Sequence, residues 1–334
     1  MTVSTLKEPF RIGNVEIRNR VILAPMSGVT DLPFRQLAWQ WGAGLVVTEM
    51  VASRELAHNH GESWARLKSA GIRPHMVQLA GREAQWMAEA ARIAEGEGAD
   101  IIDINMGCPA KKVTGGYSGS ALMRDPDHAL GLIEATVKAV SVPVTVKMRL
   151  GWDHDSLNAP EIAARAEQAG VKLITVHGRT RMQFYEGKAD WKAIRAVRDV
   201  LSIPLVANGD VETVEDALAI LDQSGADAVM VGRSCQGRPW HAGVLAGGTG
   251  PDGEAIADVA CAHYRAMQDF YGEGTAVRHA RKHLGWYLER FAPGLPGEAK
   301  ARIMTERDAR QAETLFRAAL ERSYEFGRDA TEAA

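Results

Sequence analysis

The chain has 334 residues, 46% hydrophobic and 24% charged, with a formal net charge of -3. This is an ordinary soluble composition, long enough for one large core and a smaller second unit. No bulk cationic character marks a nucleic-acid partner, so any RNA contact has to use a local patch. Three widely separated cysteines (Cys108, Cys235, Cys261) give neither a disulfide framework nor a zinc spacing, which fits a reducing cytoplasm. The N-terminus lacks an apolar signal core, and no apolar run is long enough to span a bilayer, so no membrane is expected.

In chain order, the segment from Phe10 to Ile17 predicts a short hairpin turning at Gly13-Asn14. Short apolar, β-branched runs then alternate with longer amphipathic stretches. Strands are expected at 21–24, 45–48, 76–79, 101–105, 144–148, 173–177, 205–207 and 228–231. Helices are expected at 32–41, 83–95, 126–140, 159–169, 190–200 and 214–223, with the connection after the second strand undefined. Near-continuous apolar strands imply burial on both faces, the pattern of a parallel sheet. About eight strand–helix units in roughly 240 residues match a closed α/β TIM (β/α)8 barrel. An open doubly wound sheet is the alternative, but no Gly-x-Gly-x-x-Gly follows the first strand. Beyond Gly253 the strands stop, and helices are expected at 255–271, 276–290, 299–305 and 306–326. The division is therefore a barrel over 1–251 and a small C-terminal α-helical domain over 252–334.

A barrel builds its site from the loops at the C-terminal ends of its strands. Those ends here carry Pro25-Met26-Ser27, Glu49, Gln78, Asn105 with Cys108, Lys147 with Arg149, His177 with Arg179, Asn208-Gly209-Asp210, and Gly232-Arg233. A single polar strand end can cap a helix or face solvent; a full ring on one mouth is harder to explain that way. The last two loops form the common phosphate position of barrels, where backbone N–H groups face an anion. Lys147 can meet developing negative charge, or be a snorkelling barrel lysine. Gln78 can both donate to and accept from a heterocycle edge. His177 can donate to a ring nitrogen or phosphate, or be an ordinary structural histidine. No His-Glu-x-x-His spacing or convincing carboxylate cluster suggests a metal. A phosphate site, an amide, a lysine and a histidine together suit a phosphorylated planar cofactor such as FMN. Cys108 then has a place as proton donor, because an ordinary thiol is mostly protonated at neutral pH.

Several longer motifs carry a resemblance. They are Ala24-Pro25-Met26-Ser27-Gly28-Val29-Thr30-Asp31, Asp103-Ile104-Asn105-Met106-Gly107-Cys108-Pro109-Ala110-Lys111-Lys112-Val113 and Val146-Lys147-Met148-Arg149-Leu150-Gly151-Trp152. They continue with His177-Gly178-Arg179-Thr180-Arg181, Gly237-Arg238-Pro239-Trp240 and Arg281-Lys282-His283-Leu284-Gly285-Trp286-Tyr287. With these the chain resembles, almost end to end, the bacterial tRNA-dihydrouridine synthases of the B type, some of which have carried a nitrogen-regulation label.

The resemblance implies an FMN enzyme that uses NADPH to reduce the C5=C6 bond of particular tRNA uridines. Hydride would pass from flavin N5 to C6 and a proton from Cys108 to C5. By analogy, Pro25, Met26, Ser27, Gln78, Lys147, His177, Asn208, Gly209, Asp210, Gly232 and Arg233 hold the flavin. Asn105 touches the uracil, and Arg179, Arg181, Arg278, Arg281 and Lys282 contact substrate or tRNA. The basic cluster from Arg278 to His283 carries the RNA role of the helical domain, and the protein is expected to be a monomer when free. Ser27 and Ser234 depart from the family's usual small residues, which matters little if those positions act through backbone N–H groups. Two other readings stay open: a flavin barrel acting on a small conjugated substrate, and a non-catalytic RNA-binding or regulatory protein.

Overall fold

The computed structural model describes residues 2–332, with side chains described through residue 323. Eight parallel strands form the barrel: Val21–Leu23, Leu45–Val46, Met76–Ala80, Ile101–Met106, Val144–Arg149, Ile174–His177, Leu205–Asn208 and Ala228–Val231. Strand eight pairs with strand one, which pairs with strand two. Closure between strands two and three rests on a Val47–Met76 bridge and on the Thr48 N–H donating to the Met76 carbonyl at 3.1 Å. The architecture is thus the expected TIM barrel followed by a helical region.

Alternation along each strand sorts its side chains. Val21, Leu23, Val77, Ile102, Ile104, Val146, Val176 and Ala207 face the surrounding helices. Ile22, Leu45, Met76, Ile101, Val206 and Ala228 pack in a second cluster with Ile12 and Ile17 of the Phe10–Ile12/Val15–Ile17 hairpin. The hairpin therefore plugs the N-terminal end of the barrel. The opposite end carries the polar side chains.

The helices Leu32–Gln40, Ala84–Gly96, Pro126–Ala139, Ala159–Gln168 and Val214–Ser224 lie close to their expected places. Asp31, Asp125 and Thr213 accept backbone N–H groups at the N-termini of three of them. The expected helix over 190–200 is a correction: only Arg195–Arg198 is helical. Asp190 Oδ1 accepts the Ala193 N–H at 2.9 Å, and Trp191 Nε1 donates to the Gly209 carbonyl at 2.8 Å. These bonds hold the segment in turns. The undefined connection after strand two contains a short Val51–Ala52 strand and the helices Ser53–Ala57 and Gly61–Leu67. A short helix, Val3–Lys7, precedes the hairpin and was not anticipated.

The C-terminal helices are Ala255–Tyr271, Glu273–Phe291, Gly297–Thr305 and Ala309–Glu332. The last starts later than residue 306 because Asp308 Oδ1 accepts the Gln311 N–H at 2.8 Å and caps it there. Tyr264, Tyr287, Leu284, Leu288 and Phe316 form a core of their own, which Trp240 joins from the barrel side. Tyr271 Oη donates to Asp31 Oδ2 at 3.0 Å, tying this cap to the barrel helix that begins at Leu32.

Candidate active site

Register places the mouth residues side by side. Gln78 is paired with Asp103 and Asp103 with Thr145; Asn105 is paired with Lys147; His177 is paired with Arg149 and with Asn208. All these side chains point inward, so cross-strand neighbours meet inside the barrel. Gln78 Nε2 donates to Asp103 Oδ2 at 2.7 Å, Thr145 Oγ1 donates to Asp103 Oδ1 at 2.6 Å, and Asn105 Nδ2 donates to Gln78 Oε1 at 2.7 Å. Lys147 Nζ donates to Asn208 Oδ1 at 3.2 Å, and Asn208 Nδ2 donates to the Met230 carbonyl at 2.8 Å. Gln78, Asn105, Lys147, His177 and Asn208 are therefore brought together.

Cys108 lies on the loop after strand four and is half-buried, whereas Cys235 and Cys261 are buried. Several bonds fix that loop. Asn105 Oδ1 accepts the Gly107 and Cys108 N–H groups at 3.2 and 3.0 Å. Arg149 Nε donates to the Gly107 carbonyl at 2.8 Å, and Ser120 Oγ donates to the Cys108 carbonyl at 2.9 Å. The thiol is thus presented by a held turn rather than packed as a small hydrophobe.

The electrostatics follow from burial. Desolvation, with Arg149 beside it, lowers Lys147 to about 8. Burial raises the Asp103 carboxyl to about 6, against the opposing hydrogen bonds from Gln78 and Thr145. His177 is held well below its ordinary value, first by burial and then by Lys147, Arg149, Arg179 and Arg233. It is a neutral imidazole at pH 7.

The last two strand ends form a backbone cradle. Among the described residues, the N–H groups of Gly209, Gly232, Arg233 and Ser234 find no acceptor. A side chain at Gly209 (φ 130°) would stand 2.6 Å from Ala189 Cβ and 3.1 Å from His177 Cδ2; one at Gly232 would stand 3.3 Å from Met26 Sδ. The close approach of the Gly209 loop to Ala189 and His177 therefore needs glycine, whereas a side chain at Gly232 would only press on the Met26 thioether. Pro25 and Met26 are half-buried beside this cradle, and Ser27 is exposed.

Three expected contacts are placed differently. Arg179 is 1% exposed, and all five of its N–H donors are used within the protein. They go to the Glu186 and Gly187 carbonyls, to His177 Nε2, and to both oxygens of Asp210. Arg179 is therefore not free to meet RNA. Asp210 is committed to the same clamp: it also accepts from Arg233 Nη2 at 2.9 Å and the Ala189 N–H at 2.7 Å. These contacts hold its carboxyl below the usual range despite partial burial. His283 belongs to no basic surface, since it is 1% exposed under the cap.

Arg181 stacks over Trp152 and Phe184, 4.7 and 4.6 Å from the ring centroids. Arg278 is exposed and Arg281 and Lys282 are half-buried, and none of the three has an ion-pair partner among the described residues. Lys282 Nζ lies 2.9 Å from where a side chain at Gly28 would begin, so this cap residue reaches the barrel mouth. Sequence reasoning missed Tyr185, which is 54% exposed with Arg149 and Arg233 over its ring at 5.6 and 5.4 Å. No periodicity or spacing marks a loop tyrosine of this kind. Among the described residues, no group of three or more His, Cys, Asp or Glu side chains is placed to hold a metal ion.

Fold and site together define a TIM-barrel protein with a thiol, an amide pair, a lysine and a cradle of backbone N–H groups on one mouth. The chain belongs to the dihydrouridine synthase family, an enzyme family whose model, "Dihydrouridine synthase (Dus)", matches residues 22–324. It is 73% identical to a "Probable tRNA-dihydrouridine synthase" of Rhizobium leguminosarum bv. phaseoli, over 95% of this chain and 100% of that one. It is 47% identical to the "tRNA-dihydrouridine synthase B" of Klebsiella pneumoniae, over 85% of this chain and 91% of the relative. A solved 6-hydroxypseudooxynicotine amine oxidase from Pseudomonas geniculata shares the fold alone. Its TM-score is 0.56 at 16% identity, over 73% of this chain and 49% of that one.

Proposed function

We propose that this enzyme reduces specific uridines of tRNA to 5,6-dihydrouridine, with FMN held across the barrel mouth and NADPH as reductant. One observation carries the reading: Gln78, Asn105, Lys147, His177 and the Cys108 loop converge on one mouth, beside unpaired backbone N–H groups. That donor set suits FMN. The cradle of Gly209, Gly232, Arg233 and Ser234 suits its phosphate, and the Lys147 ammonium and Gln78 amide suit its polar ring edge. Gln78 keeps one N–H and one lone pair beyond those given to Asp103 and Asn105. Pro25, Met26 and Ser27 would border the ring, and neutral His177 would serve as donor without adding charge.

When bound, FMN supplies the hydride for pyrimidine C6. The C5=C6 bond is conjugated with the C4 carbonyl, so enolate-like charge develops toward C5. Cys108 holds a proton at Sγ and delivers it to C5, forming the C5–H bond as the thiol becomes thiolate. Asn105 positions the uracil and holds the Cys108 loop. Tyr185 offers an exposed ring face, and Arg181, Arg278, Arg281 and Lys282 offer cations to the RNA. The target base leaves its stack at a cost of about a few kcal/mol, which phosphate contacts offset, so activity falls with salt. The placement of Lys282 at the mouth favours a large RNA substrate over a small free pyrimidine, which would need no cap residue there.

The test is mass spectrometry of nucleosides from tRNA lacking dihydrouridine, incubated with the protein, FMN and NADPH. A gain of about 2 Da on uridine is expected, from the two hydrogens added. Cys108→Ala should keep flavin and lose this gain. Full conversion by that variant would remove Cys108 as the acid, and no conversion by the unaltered protein would remove the reaction.

A further inference from the structure

Asp103 takes no part in the chemistry above. It is 1% exposed and lies below the mouth, yet its carboxylate begins a continuous hydrogen-bonded series that ends at the reactive loop. An ionised carboxylate only accepts. Gln78 therefore turns its NH2 group to Asp103 Oδ2 (2.7 Å), which leaves Gln78 Oε1 facing Asn105. Asn105 must then turn its own NH2 group to Gln78 (2.7 Å), which leaves Asn105 Oδ1 to accept the Gly107 and Cys108 N–H groups. The far end imposes the same polarity, because two backbone N–H groups require an oxygen. Neither amide can flip without losing bonds on both sides. Thr145 Oγ1 holds the other carboxylate oxygen at 2.6 Å, and strand register sets all three side chains next to one another.

We propose that Asp103 is a positioning residue for Cys108: its carboxylate fixes the orientation of the Gln78 and Asn105 amides and so holds the turn that presents the thiol. The proposal rests on Cys108 being the acid, but its geometry can be tested without turnover. Cys235 and Cys261 are buried, so in the full-length folded protein iodoacetamide reports on Cys108. In Asp103→Leu the Gln78 NH2 loses its acceptor and both amides are free to turn. Alkylation of Cys108 is expected to accelerate about tenfold, the effect of one lost buried hydrogen bond. In Asp103→Asn an oxygen still accepts from Gln78 while the new NH2 donates to Thr145 Oγ1. The polarity survives, and alkylation should stay within about twofold of the unaltered protein, less than one hydrogen bond's worth.

An unaltered alkylation rate in Asp103→Leu would overturn the proposal. So would equal acceleration in the Leu and Asn variants, because charge rather than polarity would then hold the turn. If Asp103→Leu does not fold, Thr145→Val carries the test, with an expected acceleration of about threefold from a loosened carboxylate; no acceleration there overturns it. Turnover separates the two readings. Full activity of Cys108→Ala removes the acid role and leaves the alkylation result standing, whereas unaltered alkylation removes the positioning role whatever Cys108 does.

Discussion

The barrel mouth and the junction beneath the helical cap both bury polar side chains, with opposite outcomes. At the mouth, Asp103, Gln78, Asn105 and Asn208 are buried and each is hydrogen-bonded to another side chain. At the junction, His263 and His283 are 1% exposed, with ring centroids 5.0 Å apart and both against Phe34. Both ring nitrogens of His283 and Nε2 of His263 have no partner among the described residues; His263 Nδ1 lies 3.3 Å from Tyr287 Oη. The junction is organised by aromatic edges and shape, the mouth by donor–acceptor polarity. Only the second kind of packing fixes the orientation of a functional group, and the contrast can be broken by mutation.

The largest effect is expected at the mouth. Arg179→Leu should destabilise the protein by about 3–5 kcal/mol, because it leaves Asp210 with one cation and strips two carbonyls of their donor. The readout is the denaturant midpoint. A loss below about 1 kcal/mol, the range of an exposed ion pair, would show that the clamp is no more than a surface contact.

Acidification comes next and acts on both regions. Burial lowers His75, His241 and His263 to about 4 and holds His177 and His283 well below their ordinary value. The unfolded chain therefore binds more protons than the folded one below about pH 6.5. The stability these neutral rings contribute is complete above that pH and is lost as pH falls toward 4. Each such group gives a slope of about 1.4 kcal/mol per pH unit. Asp31 and Asp103, raised to about 6, act in the opposite sense between about pH 6 and 4, since the folded state there takes the proton first. The histidines outnumber them, so urea midpoints should fall from pH 7 to 4.5. A flat profile would mean that these buried histidines reach water.

How much of this was legible in the sequence depends on whether a signal is local. The strands were legible because both their faces are buried, and the mouth was legible because a barrel puts its polar side chains at strand ends. The clamp role of Arg179 and the place of Asp103 depend on which residues lie opposite each other across strands, and no single segment carries that register. By proximity in sequence His283 falls in with Arg278 and Lys282. Its spacing from Ala276 and Ala280, and to Leu284 and Tyr287, in fact puts it on the buried stripe of the helix Glu273–Phe291. The helical period held that information, and the charge cluster concealed it. The segment 190–200 shows the converse case, where an amphipathic pattern yields to an aspartate turn and a tryptophan anchored to the Gly209 carbonyl.

The smallest effect is the sharpest probe of the contrast. His283→Leu removes two buried nitrogens that have no partner, whose desolvation costs about 1–3 kcal/mol, and it forfeits aromatic contacts worth about 0.5–1.5 kcal/mol. At pH 7 these nearly offset, so the variant should lie within about 1 kcal/mol of the unaltered protein, or be more stable. At pH 5 it should compare better still. Its unfolded chain has one fewer imidazole to protonate, whereas burial, and then His263, Lys282 and His279, keep His283 neutral in the unaltered folded protein. The same substitution logic fails along the Asp103–Gln78–Asn105 series, where each side chain answers the next and removing one strands its partner. If His283→Leu instead costs as much as Arg179→Leu, the junction holds its histidine by a partner such as a buried water, and the two interiors are built alike.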